Sequence, residues 1–158
     1  MTFLILIIEL RGKRMREILY RGRCTGDDDI YGWVDGFYVR LRDPFKKRES
    51  HRIYTGFAEC DCGSFYGDCY EVDPKTVGQF TGLFDKNGER IFEGDIVKYY
   101  HGKKNYDLMM VVWYEEAAHF VLATSDDFYC CEPLMNSHIY CEVVGNAHDN
   151  PELMGWNV

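Results

Sequence analysis

Three cysteines, Cys60, Cys62 and Cys69, form a C-x-C-x6-C pattern, with His51 a short way upstream. Thiolate and imidazole are donors that zinc accepts, usually four in a tetrahedron and most often from paired C-x2–4-C hooks. Here the second hook is missing, and C-x-C on a strand sends its two sulfurs to opposite faces. The expected state of the cysteines is therefore half-buried free thiols, with no metal or other cofactor. Zinc is the alternative. The neighbours Cys130 and Cys131 are expected as unpaired thiols rather than as a strained vicinal disulfide.

Glu93 and Asp95 flank Gly94. A carboxylate pair can do acid–base work or hold a divalent cation. Acids at a glycine turn also accept hydrogen bonds from neighbouring backbone N–H groups, and that alone accounts for their placement. The segment RLRDPFKKRESHR carries Arg40, Arg42, Lys46, Lys47, Arg48 and Arg52 against Asp43 and Glu49. With Phe45 among them, these cations suit a phosphate backbone or an acidic partner. The plainer reading is a solvated loop, or a contact to an acidic face of a second subunit. Asp27–Asp29 and Asp126–Asp127 offer such faces. The formal charge of −8 and a pI near 5.1 favour the plainer reading, because repulsion from phosphate opposes nucleic-acid binding. His101, His119, His138 and His148 are scattered and expected at the surface or half-packed. GxxxxGK[ST], GxSxG, HExxH and GxGxxG are all missing, so no catalytic residue is assigned and a non-enzymatic protein is expected.

The elements that position these residues are best marked between Glu71 and Val97, EVDPKTVGQFTGLFDKNGERIFEGDIV. Asp73 is a good N-cap and Pro74 fits the first helical position, which predicts one helical turn stopped at Gly78. Gly82 reads as a position needing positive φ or close backbone approach. Asn87–Gly88 between Leu83–Phe84 and Ile91–Phe92 predicts a hairpin with a type I′ turn. Glu93–Gly94–Asp95 then bends the chain into Ile96–Val97.

Three blocks of the chain are similar to the YopX-like proteins of bacteriophages and prophages. They are MREILYR at Met15–Arg21 with Trp33 downstream, VDPKTVGQFTGLFDKNGERIFEGDIV at Val72–Val97, and VVGNAHDNPEL at Val143–Leu153. The resemblance implies a small all-β protein with an SH3-like barrel or roll, and self-assembly in at least some members. It carries over no catalytic or ligand-binding residues.

The rest of the chain reads as short strands with short turns, which also points to a barrel or roll. Asp43–Arg52 reads as a polar loop, and Ile96–Tyr100, Leu108–Tyr114 and His119–Thr124 as a meander. Within it Val111 and Trp113 share one face with Met109, and Met110 and Val112 share the other. A strand apolar on both faces is central or lies at an oligomer interface. Tyr140–Val144 closes the set, before a short helix capped at Asn150. The expected organisation is an N-terminal β module over 15–92, including the hairpin, and an SH3-like roll over 93–158. A single compact unit containing both is the alternative.

Residues 1–14 look foreign to this plan. TFLILIIEL falls far short of the roughly 20 residues a membrane span needs, and it lacks the flanks of a signal peptide. Met15 is read as the natural start. Seven cysteines in no regular framework fit reduced thiols in a bacterial cytoplasm. The functional expectation is a self-assembling phage or prophage accessory protein that binds a host or phage protein, with no membrane partner. The alternatives are a nucleic-acid-directed protein using the 40–52 loop, and an acidic decoy of a host nucleic-acid-binding enzyme.

Overall fold

The computed structural model describes residues 17–42, 49–56, 58–59, 65–124 and 131–155. The 1–14 segment, with Met15, lies outside them. In chain order the first strands are β1 (Tyr20–Arg23), β2 (Trp33–Arg42), β3 (Glu49–Tyr54), β4 (Ala58–Glu59), β5 (Phe65–Tyr66) and β6 (Cys69–Glu71). Then come β7 (Gly78–Phe84), β8 (Arg90–Phe92), β9 (Asp95–Tyr100), β10 (Tyr106–Tyr114) and β11 (His119–Ala123). The chain closes with β12 (Cys131–Pro133), a one-turn helix α1 (Leu134–Ser137) and β13 (Cys141–Asn146).

Two antiparallel sheets result. One has the order β6-β3-β2-β1-β7-β8 and the other β12-β11-β10-β9-β13, with β4 and β5 paired apart. The expectation of a mainly β chain is met. Among the described residues neither ladder closes on itself, so the architecture is two open sheets. Helical turns are also more frequent than the sequence suggested, with 3-10 turns at Gly26–Tyr31, Pro74–Thr76, His138–Tyr140 and Pro151–Leu153. Among the described residues no helix is long and apolar enough to cross a membrane.

The second half of the expected loop 43–52 is strand instead. β3 starts at Glu49 and pairs along all of its length with β2, from Arg42 opposite Glu49 to Phe37 opposite Tyr54. The polar run Glu49–Arg52 hid the start of this strand, because it shows no apolar alternation of its own.

The main core joins both sheets. Ile91 of β8 packs with Val97, Met109, Val111, Phe120, Leu122, Leu134 and Cys141. Each such side chain contributes about 1.5–3 kcal/mol of burial. β10 is central in its sheet, with Met109 and Val111 buried on one face and Met110 and Val112 half-buried on the other. A smaller cluster, Leu19, Phe80 and Phe92, lies under the first sheet.

The central signature folds largely as its turn residues dictate. The Asp73 carboxylate accepts the Lys75 amide at 3.0 Å and Pro74 opens a 3-10 turn. Gly82 takes φ +84° inside a bulge, where the ladder passes from Phe80 opposite Phe92 to Phe84 opposite Arg90. The buried Thr81 hydroxyl serves that bulge, donating to the Ile91 carbonyl at 2.8 Å and accepting the Leu83 amide at 3.2 Å. The hairpin at Asn87–Gly88 is present but its turn is not type I′. Gly88 adopts φ +86° while Asn87 does not turn left-handed, and the Gly88 amide donates to the Asp85 carbonyl at 3.1 Å. This is a type I turn followed by a left-handed glycine. The Asp85 carboxylate selects it, accepting the Asn87 and Glu89 amides at 2.7 and 2.9 Å.

Candidate functional site

Alternation along β1 puts Arg21 beside Asp35 of β2 and Gly78 of β7. From there its guanidinium reaches Asp95 at the start of β9, joining the two sheets through an ion pair. The group lies between two rings, 5.0 Å from the centroid of Trp33 and 4.7 Å from that of Phe92. Asp95 is fully buried and also accepts the Phe92 amide at 2.8 Å. Burial pushes its carboxyl above the ordinary range, against the opposing pull of Arg21 and the amide. Of the flanking acids, Glu93 instead meets the Gln79 amide at 3.5 Å.

Beside this pair opens a cleft of about 600 Å³, lined by Arg21, Asp35, Phe84, Glu89, Arg90 and Val143 among others. Arg90 is held by Asp35 at 2.9 Å and by Glu17 at 3.7 Å. Both arginines of the cleft are thus committed to carboxylates of the fold. A second polar cluster centres on Asp149. It accepts from Trp33 Nε1 at 2.6 Å, Asn146 Nδ2 at 3.1 Å and Arg23 Nη1 at 3.3 Å. The Asn146 hydrogen bond, then Trp33 and Arg23, hold its carboxyl below the usual range despite some burial. Neither Asp85 nor Asp149 stands out in the sequence, although Asp85 two residues before Asn-Gly is a readable turn signal.

Of the residues singled out for metal, Cys69 and His51 are described, and these two do not converge. Cys60 and Cys62 lie outside the described residues. Cys69 sits opposite Tyr54 and receives Arg52 Nη1 at 3.7 Å, on one face of the sheet. His51 points to the other face, where its Nδ1 meets the Tyr38 hydroxyl at 2.5 Å and the rings stack. Strand alternation therefore keeps Cys69 and His51 apart. Among the described residues no group of three or more His, Cys, Asp or Glu is placed to hold a metal ion.

The basic segment is likewise divided. Arg40 pairs with Glu49 at 2.8 Å, and Arg40 and Arg42 share a face of β2. Arg52 lies on the opposite face, bonded to Ser50 Oγ at 3.0 Å. Lys46, Lys47 and Arg48 lie outside the described residues. On the face with Arg52, β2 presents Phe37, Val39 and Leu41 in register with Tyr54, Arg52 and Ser50. Phe37 is 51% exposed and Leu41 is 42% exposed. This apolar strip on the β2–β3 hairpin was not anticipated, because only the cations of the segment drew attention.

A family model described as YopX protein matches residues 35–155. The crystal structure of protein EF1440 from Enterococcus faecalis is similar at a TM-score of 0.54 and 25% sequence identity, covering 87% of this chain and 98% of that chain. No curated protein matches. With the matched span running from β2 to the residues after β13, the chain belongs to the YopX family.

Proposed function

We propose that the protein is a non-enzymatic accessory protein of a phage or prophage, which self-assembles and binds a host or phage protein in the bacterial cytoplasm. The observation that supports this reading is the strip of Phe37, Val39 and Leu41 along the β2–β3 hairpin. Phe37 and Leu41 are partly exposed beside the half-buried Val39, and an apolar patch at the surface on one face of a strand marks a protein contact surface. The paired arginines of the cleft fit the same reading, since Arg21 is spent on Asp95 across the sheets and Arg90 on Asp35 within the first sheet and on Glu17. The second sheet is read as an opened SH3-like roll. Its meander β9–β12 is followed by helical turns, and β13 returns to pair with β9, the first strand of the meander.

Leu41→Asp tests the reading without disturbing the core. Wild-type protein should sediment above monomer mass and, expressed with a tag in a phage-carrying host, retain one stoichiometric partner after nuclease treatment. The variant should lose the assembly, the partner or both. If Leu41→Asp matched wild type in sedimentation and in captured protein, the strip would not be the contact surface and the reading would fall.

A further inference from the structure

The far end of the β9–β10 hairpin combines aromatic rings with uncommitted cations. A cavity of about 560 Å³ there is lined by Tyr99, Tyr100, His101, Gly102, Lys103 and Tyr140. Tyr106, opposite Tyr100 in the ladder, is 44% exposed, and Tyr140 is 52% exposed. Two described carboxylates at this end are already occupied. Glu142 takes Lys86 Nζ at 2.6 Å and the Tyr100 hydroxyl at 2.7 Å. Asp107 meets His101 Nε2 at 2.6 Å. Lys103 and Lys104 are exposed and, among the described residues, make no ion pair. Lys98 lies over the Tyr106 ring at 4.8 Å and Lys86 over the Tyr100 ring at 3.8 Å, so those two cations are spent on rings and Lys103 and Lys104 are the ones left for a ligand.

We propose that this hairpin end is a binding site for single-stranded nucleic acid. Lys103 and Lys104 supply phosphate contacts and the exposed Tyr140 ring supplies a stacking platform for a base, the combination that unpaired strands need. The chain's formal charge of −8 opposes the dense phosphate array of a duplex. A single strand presents fewer charges per unit length and offers the bases that the rings can use. An acidic peptide would satisfy the lysines but leave the rings without planar partners. The site shares no residue with the Arg40–Arg52 segment or with the apolar strip on β2, so it stands whether or not the protein-binding reading holds.

Fluorescence anisotropy with short oligothymidine and oligouridine probes, at about 50 and 200 mM NaCl, tests it. Wild-type protein should bind at the lower salt, with affinity falling steeply at the higher. Tyr140→Ala should weaken binding roughly tenfold. Lys103→Gln with Lys104→Gln should flatten the plot of log affinity against log salt, by about 0.7 for each phosphate no longer neutralised. Absence of binding at about 50 mM salt would overturn the proposal. So would binding that is unmoved by Tyr140→Ala and displaced by polyglutamate, which would identify an acidic-peptide site. Binding abolished instead by Arg40→Gln and Arg42→Gln would place the nucleic acid on β2 and equally refute it.

Discussion

The Asp85 carboxylate accepts the Val143 amide at 3.0 Å, so the turn of a hairpin in one sheet caps the edge strand of the other. The next residue continues the capping, its Lys86 amide donating to the Cys141 carbonyl at 3.0 Å. Unpaired strand edges invite association, and this turn covers part of the β13 edge. Asp85 thus serves three amides, two within its own turn and one across the sheets. Asp85→Ala should cost about 1–3 kcal/mol, since it removes a buried carboxylate and with it three part-buried hydrogen bonds. Urea unfolding followed by circular dichroism would show this as a lower midpoint at unchanged slope.

Arg21 and Asp95 give a test with a defined pH sign. Removing one member of a buried pair strands the other charge, at about 3–5 kcal/mol. Arg21→Met should therefore be severe near neutral pH. Asp95 has a folded carboxyl raised above the ordinary aspartate range, so the folded state binds its proton more readily than the unfolded chain does. Its contribution to stability consequently improves as pH falls toward that window and worsens as pH rises through it. In Arg21→Met the carboxylate has lost its cation and its proton affinity rises further. The deficit of this variant against wild type should shrink on acidification, and should keep its size if Asp95 is not the responsible group. Arg21→Met with Asp95→Leu should recover most of the single-variant loss at all pH values.

Asp149 has the opposite sign. Its folded carboxyl is lowered, so its contribution is present above the unfolded value and lost as pH falls through the folded one. The group is partly exposed and its charge interactions are screened, so the effect should be small, below about 1 kcal/mol. The readout is spectroscopic. Acidification weakens the Trp33 hydrogen bond to Asp149, and the indole N–H resonance of Trp33 should shift across that transition. In Asp149→Ala the resonance should start shifted and no longer follow this titration.

Ala118 closes the β10–β11 turn with φ +52°. A left-handed backbone costs a residue with a Cβ about 1–2 kcal/mol, part of which glycine returns through unfolded-state entropy. Ala118→Gly should stabilise the protein by about 0.5–1 kcal/mol, and Ala118→Val should destabilise it. Thermal midpoints moving in those opposite directions would confirm the strain at this position.

The local grammar of the central signature was readable in the residues themselves. Asp73–Pro74, Gly82 and the Leu83–Phe92 hairpin form where cap, glycine and turn chemistry put them. The turn type at Asn87–Gly88 was misread because Asn-Gly serves two geometries, and the Asp85 carboxylate decides between them. Only the first four residues of β3 read as loop, because Glu49–Arg52 is polar on both faces, while Ile53 and Tyr54 read as extended. The inter-sheet contacts could not be read, since Arg21 meets Asp95 across 74 residues and Trp33 meets Asp149 across 116. No periodicity encodes such pairings. The separation of His51 from Cys69 was implicit in strand alternation, but only once the strand itself was placed.

The capping of β13 has a consequence for how the chain comes off the ribosome. Asp85 and Lys86 are synthesised long before the strand they secure, 58 residues earlier in the case of Asp85 and Val143. Until that last strand arrives, β9 lacks one neighbour and the Asp85 carboxylate lacks its third amide. Pairings this distant in sequence slow folding and leave edges open meanwhile. A chain stalled before Cys141 should therefore be more aggregation-prone than the complete chain, even with its first sheet fully translated.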